Sequence, residues 1–555
     1  MSDWWRNATI YQVYPRSFLD SNGDGIGDLE GIIAKLDYIA ALGVDAIWLC
    51  PIFASPMQDF GYDVMDMYAI DPAFGTLEAF DRLIADAHNL GLKLLIDQVW
   101  NHTSDRHPWF LESRSSRDNP KADWYVWADP KEDGSPPNNW VSAFLGKSAW
   151  VWAPKREQFY FYNFLEFQPK LNLRNPRVVE AILKCAKFWL ERGVDGFRLD
   201  AVNFFIHGDN LRDNPPRPED TPPPDGILAP NPLVKQLFQC NVCHEHNFEI
   251  LQQIRELCDR YEAITLGEVA LAENSTKLSA EYAAGKERLH LVYNSCLFFE
   301  EPISATRMRQ VLELVEHHFQ GSGNCWMVGN HDYRRLRSRW TGKDAEGNPY
   351  PEEFYRAIAA LLLSLPGALC LYQGDELGLS DGKIPDDIAA DQLQDSFGRS
   401  LYPDIQGRDV ARTPIPWQAG TPNAGFTSAE QPWLPMPKAH ASRAVDVQHE
   451  NPDSLLNTWR RLLHWRKQQP ALRQGACKIL ETEEPLFALI RDCGEQRLLC
   501  LFNLSNLPVR YDLSAYVNCR EVKDLGFAND RTGDLLKISA YGAFFGELPA
   551  TESER

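Results

Sequence analysis

Long hydrophobic runs are missing from this sequence. The nearest candidate, AIAALLLSLPGALCLY at Ala357–Tyr372, is too short to span a bilayer and is interrupted by Pro366-Gly367, so no transmembrane segment is expected. The opening MSDWWRNATIYQVYP lacks a basic stretch followed by an apolar one; no secretory leader is expected, and the cytoplasm is the expected compartment. Base is also in deficit. Lys and Arg number 56 against 77 Asp and Glu, a net charge of −21. That surplus repels phosphate backbones and anionic lipid, which argues against nucleic acid or a membrane surface as the main partner. No dense cysteine framework exists either: 12 Cys are scattered along 555 residues, as expected of reduced, buried thiols. Cys240-Asn-Val-Cys243-His244 has the spacing of a haem-attachment motif, but in a cytosolic chain it reads as chance, and no second Cys-x-x-Cys pair completes a zinc site. Repeats and low-complexity segments are absent as well.

What remains is a chain with 44% hydrophobic residues, enough for a large core. Short apolar runs alternate with longer helical patterns. Strands are predicted at Ile10–Pro15, Val44–Cys50, Leu92–Val99, Val194–Leu199, Ile264–Val269, Leu289–Tyr293, Cys325–Val328 and Ala368–Tyr372. Helical segments precede the second to fifth of them, at Gly31–Leu42, Leu77–Leu90, Pro176–Arg192 and Asn247–Tyr261. Eight strands alternating with helices imply an α/β fold, the closed (β/α)8 TIM barrel. Residues 1–102 and 173–474 are assigned to it. Residues 103–172, rich in Trp, Pro and Asn, form an inserted subdomain after the third strand. Residues 475–555 switch to short alternating strands and form a C-terminal, sandwich-like all-β domain. A second long connection, Ala201 to His246, leaves the fourth strand and carries the proline-rich stretches Asn214–Pro218 and Thr221–Asp225.

In such a barrel the active site forms at the C-terminal ends of the strands. Those ends read Asp97-Gln-Val-Trp-Asn101-His102, Gly196-Phe-Arg198-Leu-Asp200, Gly267-Glu268, Gly329-Asn330-His331-Asp332 and Gln373-Gly374-Asp375-Glu376. A ring of carboxylates interleaved with His and Arg thus faces one mouth. Glycoside hydrolysis uses one carboxylate to attack the anomeric carbon and a second to protonate the leaving oxygen. Arg198, two residues before Asp200 on a strand, shares its face and is placed to keep it ionised. Glu268 has no cation beside it in the sequence, a setting expected to leave it protonated.

DQVWNH at Asp97–His102, GFRLD at Gly196–Asp200, GE at Gly267-Glu268 and NHD at Asn330–Asp332 resemble, in order and strand position, the four signature regions of the α-amylase superfamily. QPKLN at Gln168–Asn172 resembles a fifth region of its α-glucosidase and oligo-1,6-glucosidase branch, as do IYQVYPRSF, DFGYDV at Asp59–Val64 and GRDVARTPIPW at Gly407–Trp417. The resemblance implies a retaining mechanism with Asp200 as nucleophile, Glu268 as acid/base and Asp332 as transition-state stabiliser. It also implies that Asp59, Tyr62, His102, Arg198, His331 and Arg408 hold the cleaved glucose and that Phe144 and Phe164 wall the site. One position departs from the pattern: Lys170 stands where the fifth region usually has Asp. Ala201, after the nucleophile, is small where α-1,6 specialists typically have Val, so α-1,4 linkages are expected to be preferred. The Ala201–His246 loop is comparable in length to that of short-substrate members, which implies a wall against longer chains.

Asp20-Ser-Asn22-Gly-Asp24-Gly-Ile26-Gly-Asp28 places oxygen donors at alternate positions, which suits a hard cation. Members of the resembled branch carry Ca2+ or Mg2+ in this loop, so one structural ion and no organic cofactor are expected. The expected reading is therefore an exo-acting α-glucosidase of short oligosaccharides, monomeric or homodimeric. The alternatives are a sucrose isomerase or transglucosylase using the same acids, or a non-catalytic carbohydrate-binding or transport-associated relative.

Overall fold

The computed structural model describes residues 3–208, 210–221, 235–242, 246–341, 349–383, 389–403 and 407–549. All eight predicted strands are present: β1 Thr9–Val13, β2 Ala46–Leu49, β3 Lys93–Gln98, β4 Gly196–Leu199, β5 Ile264–Glu268, β6 Leu291–Tyr293, β7 Asn324–Met327 and β8 Ala368–Tyr372. Each pairs in parallel with the strand before and after it, and β8 pairs with β1, so the barrel closes. Alternation divides each strand between two cores. Ile10, Trp48, Leu95, Leu266, Leu291 and Met327 fill the barrel interior. Their neighbours Tyr11, Ile47, Leu94 and Phe197 turn outward against the helices. At about 25 cal/mol per Å² of apolar surface buried, these two clusters are the main stabilising term of the fold.

The helices follow their sequence signals. Leu77–Asn89 buries Phe80, Leu83, Ile84 and Ala87, one stripe at helical spacing, and Thr76 caps it by accepting from the Ala79 N–H. Asn175 caps Pro176–Glu191 in the same way, with proline at the first helical position. The segment predicted as one helix over Gly31–Leu42 is two, Leu29–Ile33 and Leu36–Leu42, because Lys35 at φ −121° leaves the helical region. Its ammonium lies over the Trp417 ring, 4.6 Å from the centroid.

The insertion after β3 carries a three-stranded antiparallel sheet of Trp127–Ala128, Gln158–Phe161 and Trp150–Ala153, packed on Trp140 and Phe161. The connection after β4 docks on it. Trp140 Nε1 donates to the Arg212 carbonyl at 2.8 Å, and Asn139 and Asn214 exchange hydrogen bonds of 2.8 and 2.9 Å. Asn214–Pro218 is therefore part of a packed unit; of Thr221–Asp225, all but Thr221 lies outside the described residues. Beyond Gly475 the chain is all β, in a five-stranded and a three-stranded sheet. Its strands there are Ala476–Leu480, Leu486–Asp492, Arg497–Asn503, Val509–Asp512, Arg520–Glu521, Asn529–Thr532, Leu535–Ile538 and Ala543–Leu548. No helix among the described residues is long and apolar enough to cross a membrane. All eleven described cysteines are free, most of them buried, and Cys243 and His244 lie outside the described residues.

Candidate active site

One guanidinium organises the mouth of the barrel. Arg198, at the end of β4, is fully buried and meets three carboxylates. Its Nη1 lies 2.8 Å from both Asp97 Oδ1 and Asp200 Oδ1, and its Nη2 lies 2.6 Å from Glu268 Oε2. Tyr293, beside Glu268 across the β5–β6 ladder, accepts from the same Nη2 at 2.9 Å. Glu268 also accepts from the Ala201 N–H at 3.1 Å. The expectation that Glu268 has no adjacent cation is thus corrected. Along the chain its neighbours are apolar, but parallel pairing of β4 with β5 brings Arg198 alongside. Burial pushes the Asp200 carboxyl well above the usual range; Arg198 opposes this, and Glu268 and Asp97 add to it. Asp97 is raised to about 6, again by burial against the pull of Arg198.

Asp332, in the turn that follows β7, has a separate cationic frame. Arg412 Nη2 lies 2.7 Å and Arg408 Nη1 3.2 Å from its Oδ1, and His331 Nε2 lies 3.3 Å from Oδ2. Burial works against its charge, yet His331, Arg408 and Arg412 together hold it well below the usual carboxylate range. Burial pushes His331 itself down to about 3, so at neutral pH the two guanidiniums balance Asp332. Gln12 Nε2 donates to His331 Nδ1 at 2.9 Å, which places the ring proton on Nε2, facing the Tyr62 hydroxyl at 2.7 Å. Tyr62 in turn donates to Asp97 Oδ2 at 3.0 Å. Tyr62 and His331 therefore join the two carboxylate groups.

A buried ion-pair cluster adjoins Asp332. Arg408 Nη2 lies 2.6 Å from both Asp59 Oδ1 and Asp395 Oδ1, and Gln168 Nε2 donates to Asp59 Oδ2 at 2.8 Å. Burial opposes the charge of Asp395, but Arg408 and Arg412 hold it down at about 2. Arg408 also lies over the half-buried Phe144 ring at 5.3 Å, and Phe144 meets Phe164 at 5.2 Å. His102 stands edge-on to Phe164, and its Nε2 faces the Tyr62 carbonyl at 2.9 Å. Ala201 is buried and adopts the left-handed conformation at φ 42°, which aims its N–H at Glu268.

The predicted acids and sugar contacts thus form one connected assembly. Asp97, Tyr293, Asp395 and Arg412 belong to it and are absent from the predicted set. Asp97 and Arg412 sat within motifs already noted; Tyr293 is signalled only by its strand-end position, and Asp395 by nothing local.

The Asp20–Asp28 loop is separate. Asp20 Oδ1 accepts from the N–H groups of Asn22 and Gly23, Asn22 Oδ1 from Asp24, Asp24 Oδ1 from Ile26, and Asp28 Oδ1 from Gly31. Gly23 and Gly25, at φ 82° and 90°, let the chain curl as these turns require. The donor set is chemically suited to a hard cation, but the loop is already closed by its own hydrogen bonds. No group of three or more His, Cys, Asp or Glu side chains is gathered as a metal cage among the described residues.

Residues 12–475 match the family model described as "Alpha amylase, catalytic domain". A probable alpha-glucosidase of Rhizobium meliloti (strain 1021) is 46% identical over 547 residues, covering 98% of this chain and 97% of that protein. An oligo-1,6-glucosidase of Heyndrickxia coagulans is 35% identical over 550 residues, covering 92% and 94%. Among solved structures, the alpha-glucosyl transfer enzyme XgtA superposes with a TM-score of 0.92 at 47% identity, covering 99% of this chain and all of that one. The chain is a glycoside hydrolase and belongs to the alpha-amylase family.

Proposed function

We propose that this enzyme is a retaining, exo-acting α-glucosidase that releases α-glucose from the non-reducing end of short α-glucosides, with α-1,4 linkages preferred, and that it also transfers glucose to sugar acceptors. The observation that carries the reading is the single guanidinium of Arg198 shared by Asp200 and Glu268, with Asp332 held apart by its own arginines. Sharing one guanidinium keeps Asp200 and Glu268 side by side, as a nucleophile and an acid/base of a retaining pair must be. Asp200 attacks the anomeric carbon while Glu268 protonates the leaving oxygen; Glu268 then takes a proton from water or an acceptor sugar, which opens the glucosyl ester. Asp200 attacks as the carboxylate, and the Arg198 guanidinium 2.8 Å away supplies the positive charge that opposes the effect of burial on it. Asp332, kept anionic, stabilises that oxocarbenium-like charge.

The buried Asp59–Arg408–Asp395 cluster beside Asp332 supports exo action, because fixed charged groups there are suited to hold the hydroxyls of a terminal sugar. Docking of the β4 connection on the inserted subdomain supports a wall that favours short substrates. Small Ala201, packed among Phe164, Phe204 and Phe238, supports the α-1,4 preference. A transglucosylase or sucrose isomerase is the second reading, favoured by the likeness to an enzyme described as an alpha-glucosyl transfer enzyme. Time-resolved chromatography of products from maltose, isomaltose and sucrose, with the anomer of released glucose read by NMR, tests both. The expected result is α-glucose first, maltose cleaved faster than isomaltose, and transfer products at high maltose. Release of β-glucose refutes retention, faster cleavage of isomaltose refutes the linkage preference, and conversion of sucrose to an isomer establishes the second reading. We also propose that one Ca2+ or Mg2+ occupies the Asp20–Asp28 loop, through the side chains of Asp20, Asn22, Asp24 and Asp28 and the Ile26 carbonyl, in a structural role.

A further inference from the structure

Lys170 is fully buried at the base of the inserted subdomain. No carboxylate pairs with it among the described residues; its Nζ instead donates to two uncharged oxygens, Asn101 Oδ1 at 2.8 Å and the Phe205 carbonyl at 2.9 Å. Leaving a long cation in an apolar interior without a counter-charge is costly, and burial pushes its ammonium well below the usual lysine range. Its two bonds join the Asn101 end of β3 to the segment after Asp200 through the base of the inserted subdomain.

The first contact fixes a ring. Asn101 Oδ1 also accepts from Asn163 Nδ2 at 3.1 Å, so two donors hold the oxygen end of the amide. The nitrogen end must then face His102 Nδ1, 3.2 Å away, and donate to it. With Nδ1 as acceptor, the single proton of His102 sits on Nε2, against the Tyr62 carbonyl at 2.9 Å. The hydrogen bonds therefore set both the tautomer and the orientation of His102, and through it the Tyr62 backbone. The second contact fixes a segment. Phe205 ends the short stretch that follows Asp200, in which Ala201 adopts its left-handed conformation and donates to Glu268. The chain holds the base of the insertion to Asn101 as well: the Leu171 N–H donates to the Asn101 carbonyl at 3.0 Å.

We propose that Lys170 is a positioning residue for the glucose pocket: its bonds to Asn101 Oδ1 and to the Phe205 carbonyl lock the His102 ring and clamp the segment after Asp200 to the base of the inserted subdomain. The proposal rests on the glycosidase reading above. An acid at position 170 cannot do this. A carboxylate would face two acceptors, the Asn101 amide would turn over to donate to it, and the amide oxygen would then demand a proton on His102 Nδ1. His102 Nε2 would be left as an acceptor against the Tyr62 carbonyl.

The test is steady-state kinetics on 4-nitrophenyl α-glucoside with parent enzyme, Lys170→Met, Lys170→Gln, Lys170→Asp and Asn101→Asp, each checked by thermal melting. Asn101→Asp guards against a variant that fails to fold. It gives Lys170 a counter-ion and keeps the Phe205 clamp, but removes the donor to His102. Small displacements of a positioned group cost up to about 100-fold in rate. Lys170→Met is therefore expected to lose about 10- to 100-fold in kcat/KM, Lys170→Asp more, and Lys170→Gln less because it retains N–H donors. Asn101→Asp is expected to raise KM with little change in kcat and no loss of melting temperature. Folded Lys170→Met and Lys170→Asp with parental kcat/KM overturn the proposal; so does a loss in them that merely tracks the folded fraction. An unchanged KM in Asn101→Asp overturns the His102 arm. An inactive parent refutes the glycosidase reading instead, so the two failures are distinct.

Discussion

Replacing Glu268 by Gln removes a proton while leaving shape almost unchanged. In the parent, Asp97, Asp200 and Glu268 surround Arg198, and the variant removes one of these three titratable carboxyls from around the guanidinium. Two consequences follow with opposite signs. General acid catalysis is worth about 10²–10⁴-fold, or about 2.7–5.4 kcal/mol of barrier, and it is lost for substrates whose leaving group needs a proton. Asp200, pushed up by burial and by Glu268, is relieved of one of these influences, so its carboxyl ionises at lower pH. For maltose the first effect dominates, and kcat/KM is expected to fall about 10²–10⁴-fold. For 4-nitrophenyl α-glucoside, whose leaving group departs as a stable anion, kcat/KM reports bond cleavage alone. It is expected to fall by less than about tenfold. Its acid limb shifts to lower pH, because a carboxyl whose raised pKa is lowered stays ionised further down. kcat on the aryl substrate still falls, since opening the glucosyl ester needs Glu268 as base. Asp200→Asn, in contrast, loses both substrates alike. Equal loss of kcat/KM on maltose and on the aryl glucoside in Glu268→Gln refutes the assignment of the acid.

Arg412→Met leaves Asp332 with Arg408 alone among the arginines; the expected destabilisation is about 3 kcal/mol, the low end for breaking a buried pair. Because Asp332 is held below the usual range, its stabilisation is present above about pH 3.9 and is lost as pH falls through its folded value. Losing Arg412 raises that value, so acid unfolding and the acid limb of activity should both begin at higher pH; melting curves from pH 3 to 7 that coincide with the parent's refute this. Dialysis against EDTA should lower the melting temperature if the Asp20–Asp28 loop holds a cation, with recovery on adding Ca2+ or Mg2+. An unchanged melt refutes a structural ion there.

The alternation of β-branched runs with capped, amphipathic segments was sufficient to expose the eight barrel strands, because period-2 and period-3.6 patterns are local properties of a chain. The ends of those strands then offered Asp97, Asp200, Glu268, Asp332, Asp375 and Glu376, since a barrel gathers its strand ends at one mouth, and the resemblance to the α-amylase superfamily singled out Asp200, Glu268 and Asp332 among them. Three things were decided only by tertiary contact. Arg198 lies 70 residues from Glu268 along the chain, and only parallel pairing of β4 with β5 joins them. Asp395 comes from an irregular stretch beyond the last strand, yet it completes the frame of Arg408, because folding places it where a buried guanidinium needs a second carboxylate. Lys170 reads in the sequence as one departure from a motif; its meaning depends on Asn101 and Phe205, which come from two other strand ends. Local pattern determines which residues face the mouth, whereas charge pairing across strands depends on register, which no single segment encodes.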